Sequence, residues 1–254
     1  MTAIDPYSVA AIPIELLFDA TVLGAGTAFV WATSGAHFLI TNWHNVSGRN
    51  PFDGKHVLKN AGEPNSLRVW FNKKNSLGEK VPIDIPLHEP SGKARWFIHP
   101  VLAKIDVVAL PFPIPPGVDA YPINLMASEP LLTKVGMDAY VLGYPFGFGV
   151  AGLPVWKRGS IASEPDVLSP EQHYFLLDTA SRPGMSGSPV IMRSWGAHLL
   201  EDGNYNLGGP LTATRFIGIY SGRLHTTDPL DAQLGIIWPE ALVQDICAAQ
   251  KADV

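Results

Sequence analysis

RPGMSGSPV, residues 182–190, sets one hydroxyl, Ser186, between Gly184 and Gly187 and closes on a proline that starts an apolar run. Gly, Ser and Pro are ordinary loop residues, so the nonapeptide alone reads equally well as a surface turn. A nucleophilic serine needs a base to take its proton, a group to orient that base, and N–H donors facing the oxyanion on the attacked carbonyl. The segments on either side of the turn decide between the two readings, and with them the fold.

Upstream, short apolar or alternating runs bounded by Gly, Pro, Asn or Asp predict six strands. They are GAGTAFVW (24–31), HFLIT (37–41), LRVWF (67–71), VPIDIPL (81–87), ARWFI (94–98) and DVVALPF (106–112). PIPPG (113–117) then stops any strand, because proline removes a ladder donor and fixes the backbone extended. Six more follow: DAYVLG (138–143), PVWKRGSIA (154–162), HYFLLDT (173–179), GSPVIM (187–192), ATRFIGIY (213–220) and LGIIW (234–238). PEALVQDICAAQK (239–251) is the one helix, with Pro at its expected first position and Leu242, Ile246 and Ala249 on one face. Cys247 reads as a packing residue on that helix.

The count predicts an all-β fold, two six-stranded antiparallel β-barrels with a C-terminal helix. The first barrel would span 12–117 and carry His44 and Asp106; the second, 118–254, would carry Ser186 and the terminal helix. Two long loops, 47–66 and 193–212, are candidates for function.

Composition agrees with a globular domain: 254 residues, 46% hydrophobic and 16% charged, with 23 Pro and 24 Gly punctuating short strands. A net charge of −5, with no basic stripe in either half, excludes a nucleic-acid surface. The single cysteine forbids an internal disulfide, and the first twenty residues, interrupted by Asp5, Pro6, Pro13 and Glu15, make a poor signal peptide. No run approaches a membrane span, so a cytoplasmic protein with no membrane partner is expected. No His-Glu-x-x-His helix, paired cysteines or close His–carboxylate cluster calls for a metal.

Of eight histidines, His44 in HFLITNWHNV stands just past an apolar strand, where a ring projects from a rigid scaffold; a strand-capping histidine is the alternative. Of fourteen aspartates, Asp106 sits at the mouth of the apolar strand IDVVALPF, where burial is costly without a partner.

GTAFVW, ITNWHNV, HPVLAKIDVVALP, LDTASRPGMSGSPVIM and FIGIYSG together resemble the chymotrypsin-like serine peptidases, most of all their bacterial trypsin-like and HtrA-like branches, over roughly residues 20–240. The order His, Asp, Ser is that family's order. The resemblance implies Ser186 as nucleophile, His44 as general base and then acid, and Asp106 as the group orienting the imidazole. It implies an oxyanion hole from the N–H groups of Gly184 and Ser186. It also implies a substrate pocket walled by Ala180, Ser181 and Arg182 on one side and by Ser221, Gly222 and Arg223 on the other.

Several positions depart from the family. Ala180 stands where trypsin-type enzymes hold an acid, so small or medium apolar side chains are the first expectation before the scissile bond, and acidic ones the second. Met185 replaces the aspartate that receives a newly cut N-terminus in the digestive branch, so no activating cleavage is expected. Asn42 stands where a small residue is common, Ser188 where many members have Gly, and Tyr220 where the glutamyl endopeptidases place a His.

The activity implied is serine endopeptidase hydrolysis of protein or peptide substrates with no cofactor. No PDZ-type domain is expected after the helix, which leaves a regulatory protein partner as the route to control. Two other readings compete. An α/β-hydrolase elbow fails at Ser188 and lacks crossover helices. A catalytically silent or partner-activated module that only binds peptides has no chemical need for all the triad positions.

Overall fold

The computed structural model describes residues 4–58, 61–167, 172–180, 182–207, 209–223 and 233–253. Its strands in the first half are β1 (Ala11–Phe18), β2 (Thr21–Thr33), β3 (Ala36–Thr41), β4 (Ser66–Lys73), β5 (Ser76–Pro86), β6 (Phe97–Ile98), β7 (Val108–Pro111) and β8 (Val118–Asp119). A one-turn helix, α1 (Trp43–Ser47), follows β3. The second half holds β9 (Asp138–Gly143), β10 (Val155–Ile161), β11 (Phe175–Asp178), β12 (Ser188–Trp195), β13 (His198–Leu199), β14 (Tyr205–Asn206), β15 (Thr212–Arg223) and β16 (Leu234–Pro239). Helix α2 (Glu240–Ala249) and the short strand β17 (Lys251–Ala252) end it.

The fold is all-β with a C-terminal helix, and one closed six-stranded barrel runs β10-β11-β16-β15-β12-β9. The first half forms a sheet in the order β17-β6-β7-β3-β2-β1-β4-β5, with β8 on β4. Val118–Asp119 and Lys251–Ala252 therefore hydrogen-bond into the N-terminal sheet. The long loop at 193–212 carries the β13–β14 hairpin.

β1 is a strand the apolar-run criterion passes over. Ile12, Ile14 and Leu16 are buried while Pro13 and Glu15 between them are not, a strict period of two. Pro13 is tolerated because β1 pairs there with β2 alone; the ladder to β4 starts at Ile14.

The middle strands bury both faces. Ala28 and Val30 of β2 and Leu39 of β3 enter the N-terminal core with Ile14, Val69 and Phe71. Phe29 and Trp31 of β2, with Phe38 and Ile40 of β3, face the other way, onto Leu142, Ile191, Phe216 and Trp238 of the barrel. This second core fastens the two halves, and α2 closes it with Leu242, Val243, Ile246 and Cys247. Pro239 caps the helix from just outside it, and Ala249, expected on the apolar face, is exposed. Burial pushes the Cys247 thiol up to about 12, consistent with a packing role.

Candidate active site

β3 ends at Thr41, and α1 starts two residues later, so His44 stands on a single helical turn at the edge of the N-terminal sheet. Its ring meets Asp106, which is 2% exposed just before β7. Asp106 Oδ2 lies 2.7 Å from His44 Nδ1, and Oδ1 accepts the His44 backbone N–H at 2.9 Å. A carboxylate in its ionised form can only accept, and this geometry suits the neutral tautomer with its proton on Nδ1 and a lone pair on Nε2. Asn42, whose larger side chain departs from the family pattern, donates to the Asp106 carbonyl at 2.6 Å and so ties the start of α1 to the backbone before β7.

Ser186 comes from the barrel, yet its carbonyl is held by the other half. Thr27 N–H donates to it at 2.8 Å and Asn45 Nδ2 at 3.2 Å. Asn45 Nδ2 also reaches Thr41 Oγ1, and Thr41 Oγ1 donates to the Thr27 carbonyl. Gly187 N–H donates to the Tyr220 carbonyl at 2.8 Å, which sets the turn against β15.

The preceding turn is a consequence of Pro183-Gly184. Met185 N–H closes onto the Arg182 carbonyl at 3.2 Å, and Gly184 has φ 90°, the arrangement that places Pro first and Gly second at the centre of a type II turn. A Cβ at Gly184 would collide with the Tyr144 carbonyl oxygen. The Pro183 carbonyl accepts Phe146 N–H at 2.6 Å and the Gly184 carbonyl accepts Thr27 Oγ1 at 2.8 Å. Among the described residues, the N–H groups of Gly184 and Ser186 have no acceptor. Gly184 is buried and Ser186 half-buried, and donors left free at such positions call for an acceptor.

His44, Asp106, Ser186, Ser221 and Gly222 line one cleft of about 170 Å³, with Phe52, Val57 and Ile236 as its apolar wall. Gly222 leaves Ser186 Oγ open: a Cβ there would sit 3.7 Å away. Nε2 and Oγ make no hydrogen bond among the described residues. Ala180 and Arg182 do not join this lining; the Ala180 carbonyl accepts from Lys157 Nζ, and Arg182 is exposed. Burial, and then the neighbouring Arg182 charge, draw the Lys157 amine below the usual lysine range. Ser181 lies outside the described residues, and Arg223 pairs by its backbone with Gly235.

Thr27, Thr41, Asn42 and Asn45 escape a search for reactive side chains. Their signal is a polar residue inside an apolar run, which burial obliges to find a partner.

A model of the trypsin-like peptidase domain matches residues 26–197. Among curated protein sequences none matches the chain. The chain is similar in structure to the active form of the Rv3671c protease of M. tuberculosis, at 19% identity and a TM-score of 0.51, over 97% of this chain and 83% of that one. It is also similar to a thermostable serine protease, AL20, from an extremophilic microorganism, at 12% identity and a TM-score of 0.52, over 96% and 98%. A serine endoprotease of Yersinia pestis gives 12% and 0.52, over 98% and 67%. At such identities the likeness to these structures is one of fold.

Proposed function

The chain belongs to the trypsin-like peptidase domain family, and on that footing we propose that it is a serine endopeptidase working through an acyl-enzyme. Ser186 Oγ attacks the scissile carbonyl while His44 Nε2 takes its proton, and Asp106 stabilises the imidazolium that forms. The N–H groups of Gly184 and Ser186 hold the oxyanion. Collapse breaks the C–N bond as His44 returns the proton to the leaving amine, and water, deprotonated by the same imidazole, hydrolyses the ester.

The observation that carries this reading is the buried Asp106 carboxylate on His44 Nδ1, in the same cleft as Ser186. Met185, 1% exposed in the barrel core, supports a turn held by apolar packing without an activating cleavage. In this reading the N-terminal sheet is the counterpart of the closed barrel, with PIPPG at 113–117 as the boundary; its own separate core supports that.

One observation favours the rival module that binds without cleaving or awaits a partner: Nε2 and Oγ are not bonded. Such bonds are often long before substrate arrives. Covalent labelling by a fluorophosphonate probe separates the two. The native chain should label and hydrolyse peptides, and Ser186→Ala should fold and do neither; an unlabelled, folded native chain refutes the proposal.

A further inference from the structure

Beside the Gly184 turn, and sharing no lining residue with the cleft that holds Ser186 and Gly222, lies a larger cavity of about 630 Å³, walled by Ile14, Val22, Trp70, Lys80, Tyr144 and Phe146. Lys80 projects from β5, opposite Asn72 of β4. Its amine donates to Asn72 Oδ1 at 2.8 Å and to the Tyr144 hydroxyl at 3.4 Å, and lies 5.6 Å from that ring's centre. No carboxylate pairs with it among the described residues; Glu15, on the same wall, is engaged with Arg68 at 3.8 Å. A half-buried ammonium without a counter-ion is rare, because desolvation is uncompensated.

The cavity's rim has the features of a contact surface. Phe146 is 69% exposed, and its loop holds two residues other than glycine at positive φ, Phe146 at 56° and Ala151 at 51°. Strain of this kind persists only where the surrounding structure holds it, and it clusters at active sites and ligand clamps. The same loop braces the catalytic turn: Tyr144 N–H bonds Thr27 Oγ1 at 3.2 Å, and Phe146 N–H holds the Pro183 carbonyl.

We propose that this cavity is a carboxylate-anchored subsite that takes an acidic side chain of the peptide on the leaving-group side of the cleaved bond, with Lys80 as its counter-ion. The proposal rests on the peptidase reading, which assigns Gly222 to the acyl side and so leaves the Tyr144–Phe146 flank to the departing half. Tyr144 spans the gap, its carbonyl against Gly184 and its hydroxyl at Lys80. An extended peptide, at ~3.4 Å per residue, covers one tyrosine's length in two to three residues. Burial draws the amine down to about 8, so it is charged at neutral pH yet poorly solvated, and a carboxylate relieves that deficit.

The test is a positional library of octapeptides differing only by Glu or Gln, with binding to Ser186→Ala read by fluorescence anisotropy. Glu should bind about ten-fold tighter than Gln at one position past the scissile bond, as a charge-assisted bond requires. Lys80→Met should bring that ratio to about one and Lys80→Arg should keep most of it. Equal affinities in the Ser186→Ala protein, or a ratio surviving in Lys80→Met, overturns the subsite. With fluorophosphonate labelling of the native chain intact, that failure is the subsite's alone. Absent labelling together with absent binding removes both readings.

Discussion

Replacing Lys80 by Met should make the protein more stable at neutral pH, against the usual effect of a core-facing substitution. The amine is pushed down to about 8 from the 10.5 of an exposed lysine, and burial is the cause. At ~1.4 kcal/mol per pH unit, the charged form is about 3 kcal/mol dearer to fold at pH 7 than a freely solvated one. Methionine fills a similar volume without the charge, but it strips Asn72 Oδ1 of its donor, which costs about 1–2 kcal/mol. The net gain at pH 7 is therefore about 1–2 kcal/mol. Its pH dependence fixes the cause. Because the folded value lies below the unfolded one, the unfolded chain keeps a proton between about 8 and 10.5 that the folded chain has released. Native stability relative to the variant thus rises through that window, and the advantage of Met is gone above it. Urea unfolding of both proteins at pH 7, 9 and 11 measures this, and other titrating groups cancel in the difference. A variant less stable than the native chain at pH 7, or a gain that persists undiminished at pH 11, would refute the account.

Gly184→Ala forces a Cβ into the Tyr144 carbonyl at a φ of 90° and turns a donor out of the oxyanion position; kcat/KM should fall about 10²–10³-fold. Activity within ten-fold of native would place the oxyanion elsewhere. Asp253→Ala removes the carboxylate that accepts both Trp43 Nε1, at 2.8 Å, and Trp96 Nε1, at 2.9 Å, and should cost about 2–4 kcal/mol in thermal unfolding. A loss below about 0.5 kcal/mol would show the C-terminal tail to be loosely held.

Much of the fold is legible where one physical requirement writes the pattern. The barrel strands and α2 are apolar runs bounded by turn residues, and each expected strand of the second half overlaps an observed one. β1 is missed because Pro13 and Glu15 interrupt its run, although they are its outward residues and the alternation beneath them is strict. ARWFI shrinks to Phe97–Ile98 because Trp96 is spent on packing and on Asp253, whose position no local pattern reveals. At the site, His44 and Asp106 are legible because a polar group at the mouth of an apolar strand must be paired. Lys80 is not: it falls just before the expected strand at 81–87, and its partner Tyr144 lies 64 residues later.

The supports of the site explain why its two halves need each other. His44 and Asp106 belong to the N-terminal half and Ser186 to the barrel, yet among the described residues the Ser186 carbonyl is held by Thr27 and Asn45 of the other half. The Gly184 carbonyl is likewise held by Thr27, and Thr27 Oγ1 accepts in turn from Tyr144 N–H. One threonine therefore ties β2, the turn that carries Ser186 and the loop bearing Phe146. Separating the halves would require breaking these bonds, and with them the support of the turn at 183–186. A peptide bridging the catalytic cleft and the Lys80 cavity would close on both sides of that threonine. The Thr27 bonds, together with the one from Phe146 N–H to the Pro183 carbonyl, form a hydrogen-bonded path between the proposed Lys80 subsite and the Ser186 turn.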